Sequence, residues 1–304
     1  MVMKTHSAGG LMTALIVCLV ASACGERASS GEPGAGGSPP GRSADPDELP
    51  AGIVPDNYDG LFRVTATVLE SPDHGPQLCA TVMESYPPQC GGPDVRGWRW
   101  DDVQAESASG TTWGEYTLTG HFAHGTFTLS EPAQPVGQLP SHELGPASPC
   151  PEPTGGWVPP EPEKANPEAQ QEAMDLARQS GGYGGVWIGW LIPDDQITEA
   201  NSQDPANSVL NVSTTGDAAA LERTLRDVWG GNLCVVSTKR TEAELNHIAN
   251  QLNKLPGFVS SSADIVKGTA DATVWVAWES IWRQATEEFG KDVIELNGML
   301  QPIN

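Results

Sequence analysis

The run from Leu11 to Val20 constrains this chain more than any other stretch, because it decides the compartment in which the rest must fold. It is apolar, it follows a short segment carrying Lys4 and no acid, and it gives way to Ala21, Ser22 and Ala23 just before Cys24. A positive start, an apolar core and small residues form the pattern of an export leader. The core is shorter than the roughly 20 residues that a membrane-spanning helix needs. Residues 1–23 are therefore expected to be a signal peptide that is removed, taking Cys18 with it. The cysteines beyond residue 24 then meet an oxidising compartment. Cys79, Cys90, Cys150 and Cys234 are even in number and show no CxxC spacing, so disulfides are expected rather than metal ligation. Four cysteines allow three pairings. Cys79 with Cys90 closes a short loop through Tyr86-Pro87-Pro88, and Cys150 with Cys234 would staple the middle of the chain to its C-terminal part.

The residues around Cys24 resemble the bacterial lipobox, in which the thiol after three small or apolar residues receives a diacylglyceryl group and becomes the new N-terminus. Ala21 stands where that family usually has Leu, with Val20 one place earlier. The resemblance implies a lipoprotein held on the extracytoplasmic face of the cell membrane by palmitate-type acyl chains on Cys24. Two or more such chains make a stable anchor, where one would be marginal.

Composition limits the partners. The chain has 16 Lys and Arg against 39 Asp and Glu, a net charge of −23. An acidic surface of that size repels phosphate backbones, so nucleic acid is not expected as a partner. Residues 24–56 are rich in Gly, Pro, Ser and Ala and hold almost no large apolar side chain, so they cannot offset the entropy of ordering. They are expected to be a lipidated flexible tether reaching on the order of 30 Å.

Residues 57–137 read as a small all-β domain. Leu61–Leu69 alternates apolar and polar residues, Leu78–Met83 repeats the pattern, and Trp113–Phe122 and Gly125–Ser130 come after glycine turns. Short strands at this spacing predict a small barrel, OB-like, or a sandwich. Residues 138–165 repeat proline, including Pro149-Cys150-Pro151 and Pro159-Pro160-Glu161-Pro162, and are expected to form a stiff linker. Residues 166–304 then alternate strands with capped helices. Asn166-Pro167 starts one helix, Asp217 caps a second, and Thr241-Glu-Ala-Glu244 is a capping box for a third. The expected fold class is thus α+β in two domains: the β-barrel, then an α/β sandwich whose helices cover one face of a mainly antiparallel sheet.

Two wider resemblances rest on particular stretches. Tyr183–Ile188, Thr241–Asn250 and the hairpin Gly257–Val266 with Ala272–Val276 are similar to the α/β prodomains of secreted bacterial chymotrypsin-like proteases. Those prodomains help fold and then inhibit an attached protease; no Gly-Asp-Ser-Gly nucleophile loop occurs in this chain, which excludes a foldase role in cis and leaves binding in trans open. The whole chain, with the turn Ser85–Gly92, resembles exported lipoproteins of unassigned function from high-GC Gram-positive bacteria.

Several groups invite a site reading, and each has a plainer one. Trp98, Trp100 and Trp113 could stack sugars, but one aromatic face of a barrel core explains them. His121 and His124 on a hairpin point to opposite faces, and Asp101-Asp102 lacks flanking ligands at calcium-loop positions. His247 beside Ser260–Ser262 could form a nucleophile–base pair, though it reads as a partly exposed helix residue. Adjacent carboxylates at Glu287-Glu288 and Asp194-Asp195 seldom face each other as glycoside chemistry requires. No phosphate loop or dinucleotide fingerprint is present. No catalytic, cofactor or metal residue is therefore assigned. The expected role is a non-catalytic binding or interaction protein of the cell envelope, touching the membrane through Cys24 and meeting an envelope protein or a cell-wall glycan. The alternatives are a protease-inhibitor-like module acting through a sheet edge and an envelope hydrolase.

Overall fold

The computed structural model describes residues 49–137, 146–202 and 204–303. The expected leader, Cys24 and most of the expected tether lie outside the described residues, as do residues 138–145 of the expected linker. The described chain is a mixture of four α-helices and fourteen strands in three sheets, and residues 47–304 form one compact unit. No described helix is long and apolar enough to cross a membrane.

Seven strands come first: β1 (Leu61–Ser71), β2 (His74–Cys79), β3 (Asp94–Arg96), β4 (Glu106–Ala108), β5 (Thr111–Ala123), β6 (Thr126–Leu129) and β7 (Gln134–Pro135). The alternation in β1 sends Phe62, Val64, Ala66 and Val68 inward, where they meet Leu78, Leu118 and Phe127. β1 pairs antiparallel with both β2 and β5, β3 pairs with β2 and runs parallel to β6, and β6 pairs with β5. β2 stops at Cys79 rather than continuing to Met83. The Cys79–Cys90 disulfide closes the loop there, and Val82 and Met83 are exposed.

The remaining elements are α1 (Pro167–Gln179), β8 (Tyr183–Trp190), β9 (Ser208–Thr214), α2 (Ala218–Val228), β10 (Leu233–Ser237), α3 (Glu242–Leu252), β11 (Phe258–Asp264), β12 (Thr269–Val274), α4 (Glu279–Phe289), β13 (Ile294–Gly298) and β14 (Gln301–Ile303). Their caps are those the sequence predicts. Asn166 Oδ1 accepts from the Ala169 N–H and Asp217 Oδ1 from the Ala220 N–H. Thr241 and Glu244 close both bonds of the capping box.

The expected single, mainly antiparallel sheet is instead two sheets of three strands, β10-β9-β8 and β11-β12-β13. Each joins an antiparallel hairpin to a parallel pair, because a helix carries the chain back between the second and third strands. The chain therefore repeats the order helix, strand, strand, helix, strand: α1 to β10, then α3 to β13. The first unit closes its core with Ala173, Ala177, Leu210, Val212, Leu225 and Trp229. The second uses Leu245, Leu252, Ala272, Val274 and Ile281 among others. Complete burial of a leucine such as Leu225 or Leu245 contributes about 2 kcal/mol.

Both ends of the described chain pack more closely than the sequence suggests. Ile53 and Val54, expected within the tether, are buried. The Val54 N–H donates to Ala277 O at 2.8 Å, and the Glu279 N–H donates to Val54 O at 2.7 Å. At the other end β14 pairs with β1, and Val276 and Leu300 sit in the core of the first sheet. A tripeptide strand with a proline at its centre offers no periodicity from which to foresee this.

Candidate functional site

The first repeated unit carries an unusual sheet face. Every residue of β9 from Ser208 to Thr214 is buried, and strand side chains alternate between faces. Leu210 and Val212 point to α1 and α2. Asn211 and Ser213 occupy the opposite face, with Gly185 and Trp187 beside them on β8 and Cys234 and Val236 on β10, as the register requires. Pro146–Cys150 straps this second face, tied down by the Cys150–Cys234 disulfide. Ile265, from the β11–β12 turn, packs onto it as well.

Two glycines make that cover possible. A Cβ on Gly189 would lie 2.9 Å from Asn211 Nδ2 and 3.0 Å from the Ser148 backbone N. One on Gly185, at φ +150°, would lie 2.6 Å from Ile265 Cβ. A side chain at either position would push the covering segment away from the sheet.

Beneath the cover lie polar groups without partners. Five buried side-chain polar atoms among the described residues lack a hydrogen-bond partner, and four belong here: Ser148 Oγ, Trp187 Nε1, Asn211 Oδ1 and Ser213 Oγ. The Asn211 amide donates to Val209 O at 3.0 Å, so only its oxygen is orphaned. Native interiors pair the large majority of such groups. Each one left alone costs about 1–3 kcal/mol. Three on one sheet face and a fourth in the strap above it make a concentration that stability does not account for.

The face opens into a cleft of about 530 Å³. Trp187 and Ser213 line it from the sheet; Lys239 and Arg240 come from the β10–α3 loop, Lys267 from the β11–β12 turn, and Asp292 from the segment before β13. Arg240 and Lys239 share one carboxylate, lying 3.0 and 3.6 Å from Asp292. Lys267 reaches Glu295 at 2.9 Å. The Arg240 hydrogen bond holds the Asp292 carboxyl below the usual carboxylate range, and the bond to Glu295 pushes the Lys267 ammonium up. Both groups are therefore charged across the physiological range. Three of the chain's 16 basic residues gather at this one opening. The arrangement presents N–H and O–H donors and cationic ends to whatever enters. It provides no base hydrogen-bonded to the Ser213 hydroxyl.

Two other cavities differ in kind. One of about 440 Å³ is apolar, with Phe122, Trp275, Trp278 and Ile281 in its wall. Another, of about 640 Å³, has Asp101, Asp102 and Glu115 around Tyr116.

The residues singled out from sequence fall elsewhere. Trp98 packs edge-on against Trp100 and Tyr116, with centroids 5.1 and 5.0 Å apart, and Trp100 Nε1 donates to Glu70. Trp113 sits apart from them, against Tyr86. The three rings do not make a flat platform. His121 and His124 are exposed, one in β5 and one at the turn after it. Asp101 and Asp102 form an exposed 3-10 turn. His247 is exposed on α3, and the Ser261 hydroxyl donates to Ala249 O. Glu287 and Glu288 are exposed on α4, and Asp194-Asp195 begins a 3-10 turn. No three His, Cys, Asp or Glu side chains gather as a metal site among the described residues. The four cysteines after Cys24 are bonded in the expected pairs.

Asn211 and Ser213 alternate with Leu210 and Val212 along the chain, the usual sign of a solvated face. Nothing local distinguishes a solvated face from one covered by a segment some sixty residues upstream. No known protein-family model matches this chain, and no curated protein matches it in sequence.

Proposed function

We propose that this chain is an exported lipoprotein, acylated at Cys24 and tethered to the extracytoplasmic face of the membrane, whose folded body binds a component of the envelope without transforming it. The observation that carries the binding role is the covered polar face of the β8–β10 sheet. Two of its orphaned groups, the Trp187 N–H and the Ser213 hydroxyl, belong to residues that line a cleft with cationic walls, and the Ser213 hydroxyl has no base bonded to it. Two bonded cysteine pairs support an oxidising compartment. The leader grammar and the lipobox resemblance supply the anchor.

On this reading the first sheet is a small closed barrel of OB-like form. The circuit of pairings β1–β2–β3–β6–β5–β1 supports it, and β14 is an outlying strand. The two helix-strand repeats make the second body, with the strap Pro146–Cys150 joining the linker to it.

The test uses the intact protein recovered from detergent-solubilised envelope. Mass spectrometry is expected to show a diacylglyceryl-modified Cys24 at the amino terminus, and affinity capture to recover a partner or glycan that Lys239→Glu, at the exposed mouth of the cleft, no longer retains. An unmodified amino terminus, or turnover of a cell-wall substrate with no partner recovered, would overturn the proposal.

A further inference from the structure

The cleft beside Trp187 has a composition that selects among ligands. Its polar lining includes two groups without a partner: the Trp187 indole N–H, which can only donate, and the Ser213 hydroxyl, which can donate, on a residue 2 % exposed; Ser237 and Thr238 line it as well. A site that offers donors suits a ligand rich in acceptor oxygens. At the mouth, two cations share one carboxylate, so one positive charge is left over beside Asp292. Lys239 is free to use it, since its side chain is 80 % exposed and its contact with Asp292 is long.

The surroundings set an upper limit on the charge of the ligand. The chain as a whole carries −23, and Asp264 and Glu295 stand just behind Lys267. Lys267 already faces two carboxylates, so the surplus cation lies in the Lys239–Arg240–Asp292 trio alone, which suits one negative charge better than a polyanion. The volume, about 530 Å³, lies within the range of small-molecule sites, about 300–1,000 Å³. The indole of Trp187 adds an apolar surface next to these donors, which suits a ring bearing hydroxyl groups.

We propose that this cleft binds a small carboxylated sugar, its carboxylate between Lys239 and Arg240 and its hydroxyl groups on the Trp187 N–H and the Ser213 hydroxyl. The inference rests on the reading of the chain as a binding protein and gives that site a ligand class.

Isothermal titration of the oxidised full chain with glucuronic acid, glucose and inorganic phosphate tests it. Glucuronic acid is expected to bind saturably and at least tenfold more tightly than either of the others. Lys239→Glu is expected to weaken it at least tenfold and Ser213→Ala at least fivefold, both with unchanged thermal unfolding. Equal binding of glucose would make the site one for neutral sugars, and equal or tighter binding of phosphate would make it a plain anion site. Either result overturns the proposal, as does saturation by none of the three or unaltered binding in both variants. Recovery of an envelope partner with no sugar binding would sink this inference alone and leave the binding-protein reading in place.

Discussion

The two repeated units share a frame and differ in what they do with their second face. β9, α2 and β10 begin at residues 208, 218 and 233, while β12, α4 and β13 begin at 269, 279 and 294, a constant step of 61 residues. In both, one sheet face meets two helices. In the second unit the other face carries Ser260, Ser262, Asp271, Thr273, Glu295 and Asn297, exposed or half-buried, with Lys267 bridging to Glu295. That is the ordinary arrangement of a sheet with one wet side. In the first unit the same side holds Asn211 and Ser213, equally polar, under a disulfide-tied strap. One frame thus carries polar residues on a wet face in one copy and on a covered face in the other. Solvation explains the first set and not the second, which singles out the covered face as the place where a ligand would replace water.

The comparison can be broken at several points. The largest effect is expected from the strap. Replacing Cys150 and Cys234 by serine opens a loop spanning 84 residues and should cost about 4–5 kcal/mol by denaturant unfolding, with the β8–β10 amides losing hydrogen-exchange protection before those of β11–β13. Uniform loss of protection across both sheets would show that the strap does not act on one face. Next comes Gly185→Ala, which drives a methyl into Ile265 and should cost about 1–3 kcal/mol. Ser262→Ala, on the wet face of the second unit, should stay within about 0.5 kcal/mol.

A finer contrast lies between two serines. Ser261 donates to Ala249 O at 2.8 Å, so Ser261→Ala should lose about 1 kcal/mol. Ser213→Ala removes a buried hydroxyl with no partner and should be neutral or slightly stabilising. Equal losses at the two positions would mean that Ser213 is satisfied within the fold, and the argument from orphaned groups would fall. The smallest effect is electrostatic. Asp292 has its pKa lowered by Arg240, so the pair's contribution is present above the ordinary carboxylate range and is lost as pH falls through the depressed value. The stability difference between the native chain and Asp292→Asn should be measurable at neutral pH, begin to shrink as pH falls into the ordinary carboxylate range, and vanish only below the depressed value. A difference that persists in acid would assign the effect to packing.

Elements governed by their own residues were legible in the sequence. Asn166, Asp217 and the Thr241–Glu244 box announce three helices because caps act over three residues. The alternation in β1 announces a strand for the same reason. Which strands pair was not legible. The split of one expected sheet into two depends on where α2 and α4 return the chain, and the joining of β14 to β1 depends on contact between opposite ends of it. The pairing of the cysteines was recoverable because only three arrangements exist and one loop is short. The candidate site was not recoverable. Trp187 and Ser213 lie 26 residues apart on neighbouring strands, and their meaning comes from Ser148 and Pro149, which no local pattern places above them.

The most direct measurement is the indole N–H signal of Trp187 in a nitrogen-15 proton correlation spectrum of the intact oxidised chain, assigned with Trp187→Phe. Addition of glucuronic acid should shift that signal saturably and slow its exchange with water, while the Trp113 signal stays in place. A Trp187 signal unmoved at saturating ligand, or one that moves no more than that of Trp113, would contradict the claim that this covered polar face is where the protein binds.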